Sequence, residues 1–133
     1  MAKEYITAID ALSYGHGNIH KQFSKEDINR EILKAYVGFS TDIPDIKSVV
    51  TGNWGCGAFR GDLRLKFLVQ WLACSLAKKE MIYCPFGESK VLYDESIITK
   101  VKKQTIGEVY QNILNAAEEV RKSEHCNIYD KLL

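Results

Sequence analysis

Four of the nine glycines in this 133-residue chain fall within ten residues, between positions 52 and 61. The cluster follows a β-branched run at 47–51 and precedes an almost wholly apolar run that ends near residue 78. This succession is typical of a strand, a tight loop and a buried helix. Glycines let the backbone approach a ligand closely, and a helix N-terminus carries unpaired N–H groups and a partial positive charge. The segment therefore favours an anion-binding loop for a phosphate or diphosphate.

Neither of the two common nucleotide-binding glycine patterns fits this loop. No Gly-Lys-Ser/Thr follows it, and Arg60 stands where the third glycine of Gly-x-Gly-x-x-Gly would be. The alternative interpretation is a glycine-rich connection that is needed only for tight packing. Asn53, Trp54 and Phe59 favour a ligand site, because large side chains at the carboxyl edge of a parallel sheet can grip a sugar or base.

The hydrophobic pattern predicts an α/β chain with the element order β-α-β-α-β-α-α. In chain order, strands are predicted over 5–12, 47–51 and 81–85, and helices over 25–37, 62–78, 89–102 and 106–122. The last helix is the clearest, since Thr105 and Glu108 form a capping box ahead of an amphipathic run. A parallel sheet of three strands is small for strands that need both faces covered, so residues 1–133 are expected to be part of a larger domain.

Charge and composition argue against several classes of protein. Eighteen Lys and Arg against seventeen Asp and Glu give a net charge of +1, so direct binding to duplex nucleic acid is not expected. No apolar run approaches the roughly 20 residues that span a bilayer, the chain does not open with a signal-like segment, and no membrane association is expected. Four cysteines without a Cys-x-x-Cys pair favour reduced thiols in an intracellular compartment, nuclear or cytoplasmic. The three histidines lack metal-ligand spacing, so neither a metal nor a cofactor is expected.

Two single residues each have two interpretations. Cys56 could be a nucleophile activated by the helix N-terminus. Alternatively, it is a small residue that serves the loop through its backbone and not through its thiol. The second is favoured, because no arginine follows at the Cys-x5-Arg spacing. Phe86, after the third predicted strand, could stack on a base or pack in the core. The residues alone favour the core.

The glycine cluster consists of Thr-Gly-Asn-Trp-Gly-Cys-Gly-Ala-Phe at 51–59, followed by Gly61-Asp62 and Arg64-Leu65-Lys66. This sequence resembles the corresponding loop of poly(ADP-ribose) glycohydrolases, enzymes that cleave polymers of ADP-ribose. The similarity extends, in order, to Ala-Ile-Asp-Ala-Leu at 8–12, Lys-Ala-Tyr at 34–36, Gly38-Phe39, Phe-Gly-Glu-Ser at 86–89 and Thr-Ile-Gly-Glu-Val-Tyr at 105–110. The resemblance thus spans residues 5 to about 120.

The resemblance implies a macrodomain-like fold, with residues 1–133 as the C-terminal half of the catalytic domain. It implies ligand-binding roles for Asn53, Gly55, Cys56, Gly57, Ala58, Phe59 and Phe86. Backbone N–H groups of residues 55–58 would hold the diphosphate, Phe59 would pack on the ribose beside the scissile bond, and Phe86 would stack on adenine. Asn53 would help to hold the ligand. Valine at Gly57 would fill the space of the diphosphate and forbid a positive φ.

Two departures and one absence qualify the resemblance. Arg60 replaces a usual second glycine and could strain the backbone or add a cation, and Glu88 replaces a frequent aspartate. The family's catalytic signature, Gly-Gly-Gly followed by Gln-Glu-Glu, occurs nowhere in the 133 residues. Its second glutamate is the general acid, and glycosidic cleavage needs a positioned carboxylic acid. No catalytic residue is therefore expected in this chain.

Two functions stay open at this point. One is the poly(ADP-ribose)-binding half of a glycohydrolase, with the missing N-terminal half of the domain as a partner. The other is a non-catalytic ADP-ribose-binding or interaction module derived from that family. A reading frame upstream of Met1 that encodes Gly-Gly-Gly and Gln-Glu-Glu would favour the first.

Overall fold

The computed structural model describes residues 4–41, 43, 45–123 and 125–133. In these residues two parallel strands, β1 (Ser48–Thr51) and β2 (Glu80–Tyr83), form the sheet. A 3-10 helix (Ile19–Phe23) and six α-helices flank it: α1 (Lys25–Phe39), α2 (Leu63–Leu76), α3 (Ser89–Leu92), α4 (Glu95–Lys102), α5 (Ile106–Lys122) and α6 (Ile128–Leu132). The small parallel sheet flanked by helices confirms the predicted α/β class.

The predicted strand at residues 5–12 is wrong. This segment contacts α1, and within the described residues it pairs with no strand. Side chains bind its backbone polar groups instead. Trp54 Nε1 donates to the Ile9 carbonyl oxygen, and the Leu12 N–H donates to Glu31 Oε1, each at 2.8 Å. The sheet has two strands rather than three, because an apolar β-branched pattern forms a strand only where a neighbour can pair with it.

Two further differences concern the C-terminal third of the chain. The predicted helix over 89–102 is interrupted after Leu92, and Asp94 caps a new helix by accepting the N–H groups of Ser96 and Ile97. The weakly patterned tail forms α6, which a capping box between Asn127 and Asp130 starts. Local hydrogen-bonding side chains thus decide boundaries that hydrophobic periodicity leaves open.

The central element is α2, which is buried on most sides, as its apolar sequence predicts. It packs against α1 and α5 and beneath β2. Asp62 caps its N-terminus by accepting the Leu65 N–H at 2.9 Å. The opposite face of the sheet carries Val50 and Ile82, which pair in register and are largely exposed. Nowhere in the described residues is there a helix long and apolar enough to cross a bilayer.

Candidate anion-binding site

Residues 52–61, called the glycine loop below, join β1 to the N-terminus of α2. Turns within the loop use several of its own N–H groups: that of Cys56 donates to the Asn53 carbonyl, and that of Gly61 to the Gly55 carbonyl. The N–H groups of Gly57, Ala58 and Phe59 donate to no acceptor within the described part of the chain. Three successive N–H groups without an acceptor, in a loop that leads into a helix N-terminus, are the kind of donors that bind anions.

The glycines of this loop serve different purposes. Gly55 adopts a φ of +73°, and a Cβ there would lie 2.7 Å from the Ala11 Cβ. A Cβ on Gly61 would lie 2.6 Å from the Gly55 carbonyl oxygen. At Gly57, by contrast, φ is not positive and a Cβ would meet no atom within 4 Å. The expected positive φ at Gly57 is therefore wrong, and open space adjoins the unpaired N–H groups.

Buried glutamines hold both ends of the loop. Gln70 of α2 is fully buried; its Nε2 donates to the Gly52 carbonyl at 3.0 Å and its Oε1 accepts from Thr51 Oγ1. Gln22 Oε1 accepts the Asp62 N–H at 2.7 Å. Sequence reasoning missed both glutamines. The available signal was Gln70 itself, a polar residue within the apolar run of α2.

A buried ion pair supports the middle of the loop. Glu31 Oε2 and Lys66 Nζ lie 3.0 Å apart, and their side chains are 5% and 2% exposed. Lys66 Nζ also lies 4.6 Å from the centre of the Trp54 ring, a cation–π geometry. Sequence reasoning missed the role of Glu31 and noted Lys66 only within the family-like motif. Their signal was a charge at a position where the helical pattern places an apolar residue.

Asn53 links the glycine loop to the end of β2. Its Oδ1 accepts from the Tyr83 hydroxyl and its Nδ2 donates to the Pro85 carbonyl, each at 2.9 Å. Phe86 follows with a φ of +48°, and its ring lies against Gly52. The Phe86 side chain is 81% exposed, so the core interpretation of this residue is wrong. Phe59 is also partly exposed. Both aromatic rings are accessible at the loop.

Cys56 has a structural position within the loop. Its Sγ lies 3.5 Å from the Trp54 carbonyl oxygen, and its N–H is already used in the turn. Burial raises the pKa of its thiol to about 11, although the Lys66 charge opposes this rise. A thiol that stays protonated near neutral pH is a poor nucleophile, which argues against that alternative. Among the described residues, no three His, Cys, Asp or Glu side chains cluster as metal ligands.

Arg60 adopts a φ of +60°, a left-handed conformation that costs a non-glycine residue free energy. Of the two alternatives that the sequence left open for Arg60, this φ supports backbone strain. The Arg60 N–H donates to the Gly57 carbonyl and its carbonyl accepts weakly from Gln22 Nε2, at 3.5 Å. The backbone of Arg60 thus closes the loop, whereas its guanidinium forms no ion pair within the described residues.

Comparison with known proteins identifies the fold and then the family. A family model described as poly(ADP-ribose) glycohydrolase, macro domain fold, matches residues 1–93. The chain therefore has a macro domain fold, in which the glycine loop follows β1. It belongs to the poly(ADP-ribose) glycohydrolase family.

Three relatives illustrate the extent of the similarity. The chain is 36% identical over 116 residues to poly(ADP-ribose) glycohydrolase 1 of Caenorhabditis elegans, covering 81% of this chain and 15% of that protein. It is 40% identical over 72 residues to poly(ADP-ribose) glycohydrolase 2 of the same organism, covering 53% of this chain and 15% of that protein. Poly(ADP-ribose) glycohydrolase 1 of Arabidopsis thaliana is 34% identical over 111 residues, covering 79% and 20%. The chain thus spans no more than a fifth of the length of these relatives.

Proposed function

We propose that residues 1–133 bind ADP-ribose through the glycine loop, as the C-terminal, ligand-binding half of a poly(ADP-ribose) glycohydrolase catalytic domain. The observation that carries the proposal is the row of unpaired N–H groups at residues 57–59 next to open space. A diphosphate supplies acceptors for these donors, and the N-terminus of α2 favours its negative charge. The name of the matched family supports ADP-ribose as the group that carries this diphosphate.

The two exposed aromatic residues of the site suit the rest of that ligand. In this proposal Phe59 packs against the ribose beside the scissile bond, and Phe86 stacks on adenine. The N–H groups of Gly55, Gly57 and Ala58 bind the diphosphate, together with that of Phe59. The Cys56 N–H has a smaller role, because it is already bound within the turn. Asn53 contributes by holding the glycine loop against the end of β2, since its amide group binds Tyr83 and Pro85.

Hydrolysis of poly(ADP-ribose) requires a general acid, and the Gln-Glu-Glu segment that the family resemblance implies for this role does not occur in the 133 residues. We propose that a polypeptide carrying Gly-Gly-Gly and Gln-Glu-Glu, the missing N-terminal half of the domain, completes the enzyme. A groove of about 830 Å³ between residues 4–9, the end of α1 and β1 supports this proposal. The outer edge of β1 pairs with no strand in the described residues, so an added strand that occupies the groove could pair with it.

The second candidate is a non-catalytic module that binds ADP-ribose by the same loop. Its support is the same row of N–H groups at residues 57–59, which can bind a diphosphate without any catalytic residue. Both candidates share an expected nuclear or cytoplasmic location, which the four free cysteines support. They differ in whether adding the N-terminal half creates glycohydrolase activity.

Calorimetric titration with ADP-ribose tests the binding site. Alanine at Phe59 or at Phe86 should weaken binding by about 1–3 kcal/mol each, the range for base–aromatic stacking. Gly57→Val should weaken it further, because its side chain occupies the open space at the donors. Gly17→Val is the matched control, since a Cβ at Gly17 also meets no atom within 4 Å. Circular dichroism checks folding, and wild-type affinity in a folded Gly57→Val protein would contradict the proposed site.

An assay of ADP-ribose release from poly(ADP-ribose) tests the proposal that a second polypeptide supplies the general acid. The purified 133-residue chain alone should release none, because it lacks the Gln-Glu-Glu segment that would supply the general acid. Addition of a polypeptide that carries Gly-Gly-Gly and Gln-Glu-Glu should restore release if the first candidate holds. Release by the chain alone, at a rate near that of a complete homologue, would disprove the division of roles.

A further inference from the structure

The Glu31–Lys66 ion pair belongs to a closed ring of contacts around the glycine loop. Glu31 Oε1 accepts the Leu12 N–H at 2.8 Å, and three residues earlier the Ile9 carbonyl accepts from Trp54 Nε1. The Trp54 ring lies under Lys66 Nζ. Lys66 Nζ in turn lies 3.0 Å from Glu31 Oε2, which closes the ring of contacts. The ring therefore joins α1, the N-terminal segment, the loop and α2.

Lys66 also contacts the loop backbone directly. Its Cε would lie 2.9 Å from a Cβ on Gly61 and 3.4 Å from one on Gly55, which places the lysine stem against both glycines. These two glycines bracket the unpaired donors, and the Gly61 N–H to Gly55 carbonyl bond at 2.8 Å closes the turn between them. A shift of Lys66 away from these glycines would remove a support of the turn that carries residues 57–59.

We infer that the Glu31–Lys66 pair is a positioning device that holds the glycine loop open for an anion. The inference rests on the proposed function for the identity of the anion, the diphosphate of ADP-ribose. The pair has no net charge, so it attracts the ligand little and acts through geometry. Buried ion pairs often contribute little net stability, because desolvation offsets their attraction. Holding the loop in shape is a role that does not depend on the balance between desolvation and charge attraction.

The double variant Glu31→Gln with Lys66→Met separates positioning from stability. It removes both charges together, keeps side chains of similar length and leaves an amide oxygen to accept the Leu12 N–H. We expect a folded protein with a Tm close to that of the wild type. Hydrogen exchange of the Gly61 and Tyr14 amides, which donate to the loop carbonyls of Gly55 and Phe59, should accelerate about tenfold or more. Amides in α5 should keep their wild-type rates.

Affinity for ADP-ribose should fall about tenfold in the same variant, because the loop is no longer preorganised. The matched control is Glu118→Gln with Lys122→Met, which removes the exposed pair of α5 at 3.5 Å. It should change neither loop exchange nor affinity. Unchanged loop exchange and unchanged affinity in the folded Glu31/Lys66 variant would overturn the inference.

Trp54→Phe provides an independent variant if the double variant does not fold. It keeps an aromatic ring beside Lys66 but removes the Nε1 bond to Ile9, so Gly61 exchange should accelerate in the same direction. Wild-type Gly61 exchange in a folded Trp54→Phe protein would also overturn the inference. If the wild type itself does not bind ADP-ribose, the proposed function fails, whereas the exchange rates still decide the positioning role.

Discussion

The glycine-loop region and the C-terminal helical region of this molecule are stabilised by different kinds of buried group. Helix α5 buries Val109, Ile113, Ala117 and Val120, all apolar and at most 4% exposed. Around the glycine loop the buried side chains include four that are polar or charged: Gln22, Glu31, Lys66 and Gln70. Apolar packing is spread over many weak contacts, whereas each buried polar group depends on one or two specific partners.

The two regions also differ in where their partners lie along the chain. The α5 helix follows from its own sequence, with a capping box at its start and apolar residues at helical spacing. The loop is held by residues 18 to 45 positions away, such as Gln70 on Gly52, Gln22 on Asp62 and Ile9 on Trp54. Substitutions in α5 should therefore change the free energy of unfolding most. Substitutions among the residues that hold the glycine loop should change affinity for the ligand most.

Ile113→Ala should have the largest effect on stability. Ile113 is fully buried, and removing three carbon atoms there should lower the free energy of unfolding by about 2–5 kcal/mol. Chemical denaturation gives this value. Under conditions where the variant remains folded, its dissociation constant for ADP-ribose should equal that of the wild type, because Ile113 belongs to the helical region.

Ile106→Ala is the control for that prediction. Ile106 begins the same helix but is 40% exposed, so its replacement should change the free energy of unfolding by less than about 1 kcal/mol. A large loss of ADP-ribose affinity in folded Ile113→Ala would show that the two regions are energetically coupled and would break the comparison.

The same contrast explains how far the sequence could be interpreted. Helix α5 was predictable over 106–122 because its cap and its apolar face are local, and β1 and α2 were predictable from short apolar runs. The strand at 5–12 was wrongly predicted, because pairing depends on a neighbour and not on the run itself. The position of the loop was predictable from its glycines. Which of its N–H groups stay free was not, because turn geometry decides that Cys56 donates to Asn53.

The buried polar partners were the least predictable part of the site. Glu31 and Gln22 lie on elements that precede the loop by about 20 to 40 residues, and both residue types are common on exposed helix faces. The packing of α1 against α2 turns Glu31 inward, whereas Gln22 lies in the preceding 3-10 helix and binds the Asp62 N–H. The sequence carried a signal for Glu31, a charge at a position that helical periodicity assigns to the core, and none for Gln22.

High pH should destabilise the protein by a smaller amount. Burial raises the pKa of the Cys56 and Cys74 thiols to about 11, from an ordinary value of 9.0. The unfolded chain therefore releases thiol protons at a lower pH than the folded chain. The stability due to these groups is fully present below pH 9 and is lost as the pH rises toward about 11, by roughly 1 kcal/mol per thiol and pH unit.

Denaturation at a series of pH values checks this decline, and single substitutions assign it. Cys56→Ser and Cys74→Ala should each remove part of the pH dependence, the first in the loop region and the second in the core. The buried tyrosines, including Tyr14, also have a raised pKa and act in the same direction at still higher pH. Stability that stays constant up to pH values near 11 would contradict the prediction.

Arg60→Gly should have the smallest effect, and it tests whether the loop is strained. A non-glycine residue in the left-handed conformation costs about 1–2 kcal/mol, and the freedom of glycine in the unfolded chain offsets about 0.5–1 kcal/mol of this. A net gain of up to about 1 kcal/mol in the free energy of unfolding is expected.

Lys78 is the matched control, since it has a φ of +56° directly after α2, and Lys78→Gly should give a similar gain. Equal gains with unchanged ADP-ribose affinity would mean that Arg60 affects only the backbone. A gain at Lys78 without one at Arg60 would mean that the Arg60 side chain offsets its own strain, and weaker binding by Arg60→Gly alone would assign its guanidinium to the ligand.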